Sequence, residues 1–181
     1  MRILVTVLAA LLLAGPTTAL AAGPIKVGGK LHPVTIDCIR AAARYQHIPS
    51  AALLGVLAVE RGRVGEARRN SNGSYDLGPM QINTVWLSRL RKWHIPGRMV
   101  ADNGCVNVFV GAWVLRSAMD DTRTVWQAIG RYHSRNPRLA TEYERRVYRE
   151  LKHWSDVKGL LEHINENVPD GAMPTGLTGG R

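Results

Sequence analysis

Apolar positions recur at three- and four-residue intervals over most of the chain. In "ALLGVLAVERGR" (52–63), Leu53, Val56, Leu57 and Glu60 fall at i, i+3, i+4 and i+7, one face of a helix. The same spacing predicts a helix over 35–46 with Thr35 as N-cap, and one from Ser50 to Arg61 stopped by Gly62. It also predicts an amphipathic helix over 84–93 following Asn83, a buried central helix over 105–119, and helices over 124–134 and 137–154. Pro137 stands at a first helical position. Residues 62–79 are rich in Gly, Asn, Ser and Asp and read as loop, and "HIPGRMVADNG" reads as a connection. There is no run of alternating strands, no βαβ rhythm and no internal repeat. The expected fold is a single, mainly α domain.

The two ends read differently. Arg2, the apolar "ILVTVLAALLLAG" and the small-residue site "ALA" have the layout of a secretory signal peptide over 1–21, the alternative being an uncleaved membrane anchor. A Gly/Pro-rich lead follows at 22–34, then the domain at 35–154. A tail at 155–181 has room for one short helix around 156–164, and its "VPDGAMPTGLTGGR" is too poor in large apolar residues to fold by itself. Cleavage leaves about 160 residues, enough for one real core.

Export changes how the cysteines and charge are read. Cys38 and Cys105 are an even pair, which in an exported chain favours a disulfide, with two buried free thiols as the alternative. Neither cysteine has a ligand partner in zinc register and the six histidines are scattered, so no metal and no cofactor are expected. The net charge of +10 suits nucleic acid, anionic lipid or an acidic polymer such as the cell wall, and does not choose among them. No interleaved basic and aromatic groove pattern supports nucleic acid.

Glu60 is the residue that breaks the pattern. Burial disfavours its charged form, as does the negative end of the helix dipole, and an acid kept protonated suits donation to a glycosidic oxygen. Read alone, it is more readily an acid paired with Arg61 or Arg63 or turned to the helix edge. The loop after it, "NSNGSYDLGPMQIN" (70–83), gathers amides and hydroxyls beside Gly73 and Gly78, a composition suited to sugar hydroxyls and acetamido groups or to a solvated surface.

These residues carry a resemblance. "CIRAAARYQHIPSAALLGVLAVE", the "NGSYD" loop, "MQIN", "CVNVFVGAWVL" and "WQAIGRYHS" resemble, in order, the lysozyme-like lytic transglycosylases related to goose-type lysozyme. The nearest likeness is to small exported members that accompany conjugation and type III or type IV secretion machinery. The resemblance covers about Cys38 to Tyr148. It implies a lysozyme-like helical domain with a groove, and Glu60 as the single catalytic acid. It implies glycan-binding roles for Gly78, Met80, Gln81 and Asn83, and places Tyr132 near the acid; His133, where the family has asparagine, is a candidate sugar contact or a helix-surface histidine. Cys38 and Cys105 match cysteines that the small members carry. Three positions depart from the family: Arg61 stands where serine is usual, Pro79 fills the second place of Gly-Leu-Met-Gln, and Tyr132-His133-Ser134-Arg135 replaces Tyr-Asn-Ala-Gly.

The implied reaction cleaves the β-1,4 bond between N-acetylmuramic acid and N-acetylglucosamine, leaving a 1,6-anhydro end, in the periplasm or envelope. Two competitors remain: hydrolysis by water with Asp76 as base, and a non-catalytic peptidoglycan-binding assembly factor on the same fold. The implied partners are peptidoglycan strands and secretion or conjugation components. A monomer is expected, without nucleic acid or a stable membrane anchor after cleavage. Arg61, Arg63, Arg68 and Arg69 are expected to attract the anionic wall, and the tryptophans at 86, 93, 113, 126 and 154 to pack in the core, with Trp86 the one outside candidate for sugar stacking.

Overall fold

The computed structural model describes residues 27–156. The expected signal peptide, the tail beyond Asp156 and its short helix lie outside the described residues. Among these residues the fold is carried by α1 (Ile36–Gln46), α2 (Ser50–Glu60), α3 (Leu87–Leu90), α4 (Gly97–Asp102), α5 (Gly104–Asp120), α6 (Val125–His133) and α7 (Pro137–Asp156). Short polar side chains start several of them. Thr35 accepts from the Cys38 N–H, Asn103 from those of Cys105 and Val106, and Thr124 from that of Gln127.

The central helix is α5, which packs against α1, α2, α4 and α6, while α7 lies along α6 and α2. Leu53, Val56, Leu77, Val108, Leu115 and Val147 are fully excluded from solvent at the heart of this arrangement. Cys38 and Cys105 form a disulfide across 67 residues, fastening α1 to α5 and excluding the free-thiol alternative. No described helix is long and apolar enough to cross a membrane.

Four expectations need correction. The helix expected over 84–93 is broken, with 3-10 turns at Thr84–Trp86 and Arg91–Trp93 on either side of α3. The stretch 62–79 is not simply loop, because β1 (Ala67–Arg69), β2 (Tyr75–Leu77) and β3 (Ile82–Asn83) form an antiparallel sheet in that order. Arg68 lies opposite Asp76 and Leu77 opposite Ile82. Strands this short cannot display alternation, and "ARR" exposes two arginines. The connection 94–104 holds α4, hidden because Pro96 and Gly97 read as breakers. In fact Pro96 precedes the helix, and its carbonyl accepts from the Met99 and Val100 N–H groups. Finally, the tryptophans are not core residues. Trp86, Trp113, Trp126 and Trp154 are half-buried against the core, and Trp93 is 54% exposed. Their bulk makes complete burial rare. Trp86 and Trp93 each meet Trp113 edge-on at 5.3 Å.

Candidate active site

Glu60 closes α2. The chain leaves the helix through Arg61, in the left-handed region at φ 51°, and then Gly62. A Cβ on Gly62 would collide with the Gly78 carbonyl oxygen, so only glycine lets this exit lie against the following loop. The Gly62 N–H donates to the Pro79 carbonyl at 3.2 Å. Arg61 itself turns outward and pairs with Glu150 of α7 at 2.9 Å. The serine-to-arginine departure therefore sends a side chain away from Glu60.

The loop is held from below by Asn107 on α5. Its Oδ1 accepts from the Met80 N–H at 2.7 Å, and its Nδ2 donates to the carbonyls of Leu77 at 2.8 Å and Val100 at 2.9 Å. Gly78 rests on this amide at φ 64°, where a Cβ would meet it. Tyr132 of α6 fixes the far side, its hydroxyl donating to the Met80 carbonyl at 2.9 Å.

Tyr143 of α7 holds the acid directly. Its hydroxyl donates to Glu60 Oε1 at 2.6 Å, and its ring is fully buried at 1% exposure. The His133 ring stacks on it at 4.6 Å, 6° from parallel, and the Arg146 guanidinium lies over it at 5.0 Å. Burial pushes the Glu60 carboxyl above its ordinary range. The Tyr143 hydrogen bond, and then Arg146, oppose this, while Asp76 adds to it. Burial and the neighbouring Glu60 raise the hydroxyls of Tyr132 and Tyr143, so both stay protonated donors. Burial, helped by Arg146, lowers His133.

Asp76, on β2, has a different environment. It accepts from Asn83 Nδ2 at 2.8 Å and lies 3.9 Å from Arg68. Asn83 also donates to the Ser74 hydroxyl at 3.0 Å. Two carboxylates thus face one region, one desolvated and biased towards its acid form, the other hydrogen-bonded and beside a cation.

Of the residues singled out from sequence, Glu60 and His133 meet around Tyr143, while Tyr132 reaches the loop. Asn83 joins Asp76 and Ser74. Gly78, Met80 and Gln81 are buried within the loop. Gln81 donates from Nε2 to the Gly78 carbonyl at 2.9 Å, while its Oε1 is buried without a partner among the described residues. Trp86 sits under the Arg89 guanidinium, 5.2 Å from its ring centre.

Three residues of the site, Tyr143, Asn107 and Arg146, were not singled out, the last being one of many arginines in the sequence. Tyr143 shares an i, i+4, i+8 stripe with Val147 and Leu151, so its burial was legible but not the target of its hydroxyl. Asn107 is an amide on an apolar helix, the same kind of signal that marked Glu60.

Residues 37–154 match a family model described as a transglycosylase SLT domain. The chain is similar to the invasion protein IagB of Salmonella typhi, 29% identical over 127 residues, 70% of this chain and 78% of that protein. It is similar to protein IpgF of Shigella flexneri, 32% identical over 99 residues, 54% of this chain and 65% of that protein. A peptidoglycan-binding-like protein of Escherichia coli O157:H7 is 28% identical over 98 residues, 50% of this chain and 59% of that protein.

Proposed function

Because this chain belongs to the transglycosylase SLT domain family, we propose that it cleaves peptidoglycan glycan strands as a lytic transglycosylase, with Glu60 as its single acid–base group. The observation that carries the reading is the environment of Glu60: burial raises its carboxyl, and a permanently protonated tyrosine donates to one oxygen. That leaves the other oxygen for a proton and a substrate.

In the first half of the reaction the Glu60 proton passes to the β-1,4 oxygen joining N-acetylmuramic acid to N-acetylglucosamine, and the C1–O bond breaks. The 2-acetamido group of the muramic residue stabilises the cationic centre. The Tyr143 hydrogen bond steadies the carboxylate now formed. In the second half that carboxylate takes the proton of the C6 hydroxyl as its oxygen bonds to C1. The product is a 1,6-anhydro end, Glu60 is reprotonated, and no water is consumed. Most retaining and inverting hydrolases use a second carboxylate as nucleophile or base. Asp76 is engaged by Asn83 and sits beside Arg68, which supports the single-acid route.

Mass spectrometry of the products tests this. Wild type should release muropeptides with anhydro ends, and Glu60→Gln should lower the rate about 10²–10⁴-fold, the usual worth of a general acid. Ends heavier by one water would favour hydrolysis with Asp76 as base. Equal clearing by wild type and variant would remove Glu60 from its role, and no cleavage by wild type would favour the binding factor.

An exported protein of this kind would open the wall locally in the envelope for a secretion or conjugation apparatus. The signal-like start of the sequence and the likeness to an invasion protein support that setting. Monomeric action follows the same reading.

A further inference from the structure

We propose that Arg145, Arg146 and Arg149 of α7 form a subsite beside Glu60 for the carboxylates of the peptide stems carried by the glycan strand, an inference that rests on peptidoglycan being the substrate. Arg149 follows Arg145 by four residues and Arg146 by three, so its side chain neighbours both on the helix surface. All three line a cavity of about 520 Å³ with His133, Leu139 and Glu142. Arg146 and Arg149 also line a second cavity of about 330 Å³ with Val59, Arg61 and Glu150.

The acids in these cavities are already engaged. Glu142 pairs with Arg138 at 3.2 Å and Glu150 with Arg61 at 2.9 Å. Arg145, Arg146 and Arg149 make no ion pair within 4.0 Å among the described residues, and all three are exposed. Glu60 and Glu144 feel the charges of Arg146 and Arg145, but no carboxylate among the described residues closes on the three guanidinium groups as an ion pair.

Its position ties it to the acid. Arg146 lies 5.0 Å over the Tyr143 ring, and the Tyr143 hydroxyl is 2.6 Å from Glu60. One aromatic ring separates the guanidinium from the reacting carboxyl. Neutral sugar hydroxyls have no need of a row of guanidinium groups, whereas carboxylates match their planar fork in paired hydrogen bonds. In a peptidoglycan strand the carboxylates are on the peptide stems, which branch from the muramic residue that Glu60 would cleave. Leu139, 44% exposed at the cavity wall, offers contact to their aliphatic parts.

The test compares strands released by an endopeptidase, which keep their stems, with strands released by an amidase, which lose the stems and keep only the lactyl carboxylate of each muramic residue. Binding is measured by calorimetry in a Glu60→Gln background, so that it does not depend on turnover, and kcat/KM is measured without that substitution. Arg145→Ala/Arg149→Ala should weaken binding to stem-bearing strands about ten-fold relative to stem-free strands, the worth of one good charge-assisted contact. The same ratio should fall in kcat/KM, through KM. Lys92→Ala, which removes one exposed charge elsewhere, should leave the ratio as in wild type. An unchanged ratio in the arginine variant, or the same loss on both strands, would overturn the subsite while leaving the substrate reading intact. Failure of the parent protein to bind either strand would overturn the substrate reading and the subsite with it.

Discussion

Glu60 is held between burial, which favours its neutral form, and three groups that favour its charge, Tyr143, Arg146 and Arg68. A carboxyl raised by folding contributes stability that is full below the ordinary glutamate range and is lost as pH climbs through its raised value. Glutamine is neutral throughout and keeps an oxygen for the Tyr143 hydroxyl. Glu60→Gln should therefore melt close to wild type near pH 4 and at a higher temperature than wild type at pH 7. Thermal melts across that range check this, and a difference that ignores pH would contradict it. Tyr143→Phe keeps the buried ring but removes the donor that stabilises the carboxylate. Its pH–rate profile should have its alkaline limb moved to higher pH, with kcat about ten-fold lower. At this scale the sequence was readable where a residue broke its pattern, as Glu60 did. Tyr143 broke nothing: an aromatic on an amphipathic stripe looks like core, and only the fold shows where its hydroxyl points.

At the scale of elements, the helices were legible because their stripes and caps are local. Thr35 and Pro137 mark starts that the structure keeps, Asn83 caps only a 3-10 turn ahead of α3, and Arg61 with Gly62 marks the end of α2. The small sheet was not legible, since its order depends on pairing Arg68 with Asp76 and Leu77 with Ile82, contacts that no single strand announces. The loop beyond β2 depends equally on a distant helix. Asn107→Leu would preserve bulk but leave the Met80 N–H and the Leu77 and Val100 carbonyls buried without their partner. At roughly 1–3 kcal/mol for each buried group, the loss should be at least about 3 kcal/mol. Urea unfolding measures it, and a near-neutral result would mean that other groups take over those bonds.

At the scale of the whole molecule, the disulfide closes a loop that contains α2, the sheet, α3 and α4. Replacing both cysteines by serine should lower stability by about 2–4 kcal/mol through the freer unfolded chain. The reductant dependence of urea unfolding provides the check: wild type should lose that amount on reduction and the double variant nothing. Fold class was readable from pattern alone. The assembly of the site was not, because Glu60, Met80, Asn107, Tyr132 and Tyr143 come from separate segments.

The grip of Asn107 has a consequence for how such a chain can change over generations. Each of its three hydrogen bonds ends on a main-chain atom. It recognises the path of the loop and not the identity of its side chains. Residue 79 is called on only for its carbonyl, which Gly62 uses, so a proline that has lost its own N–H forfeits nothing there. Position 79 can therefore take proline, while Asn107, Gly62 and Gly78 are fixed by these contacts and Met80 by its buried side chain.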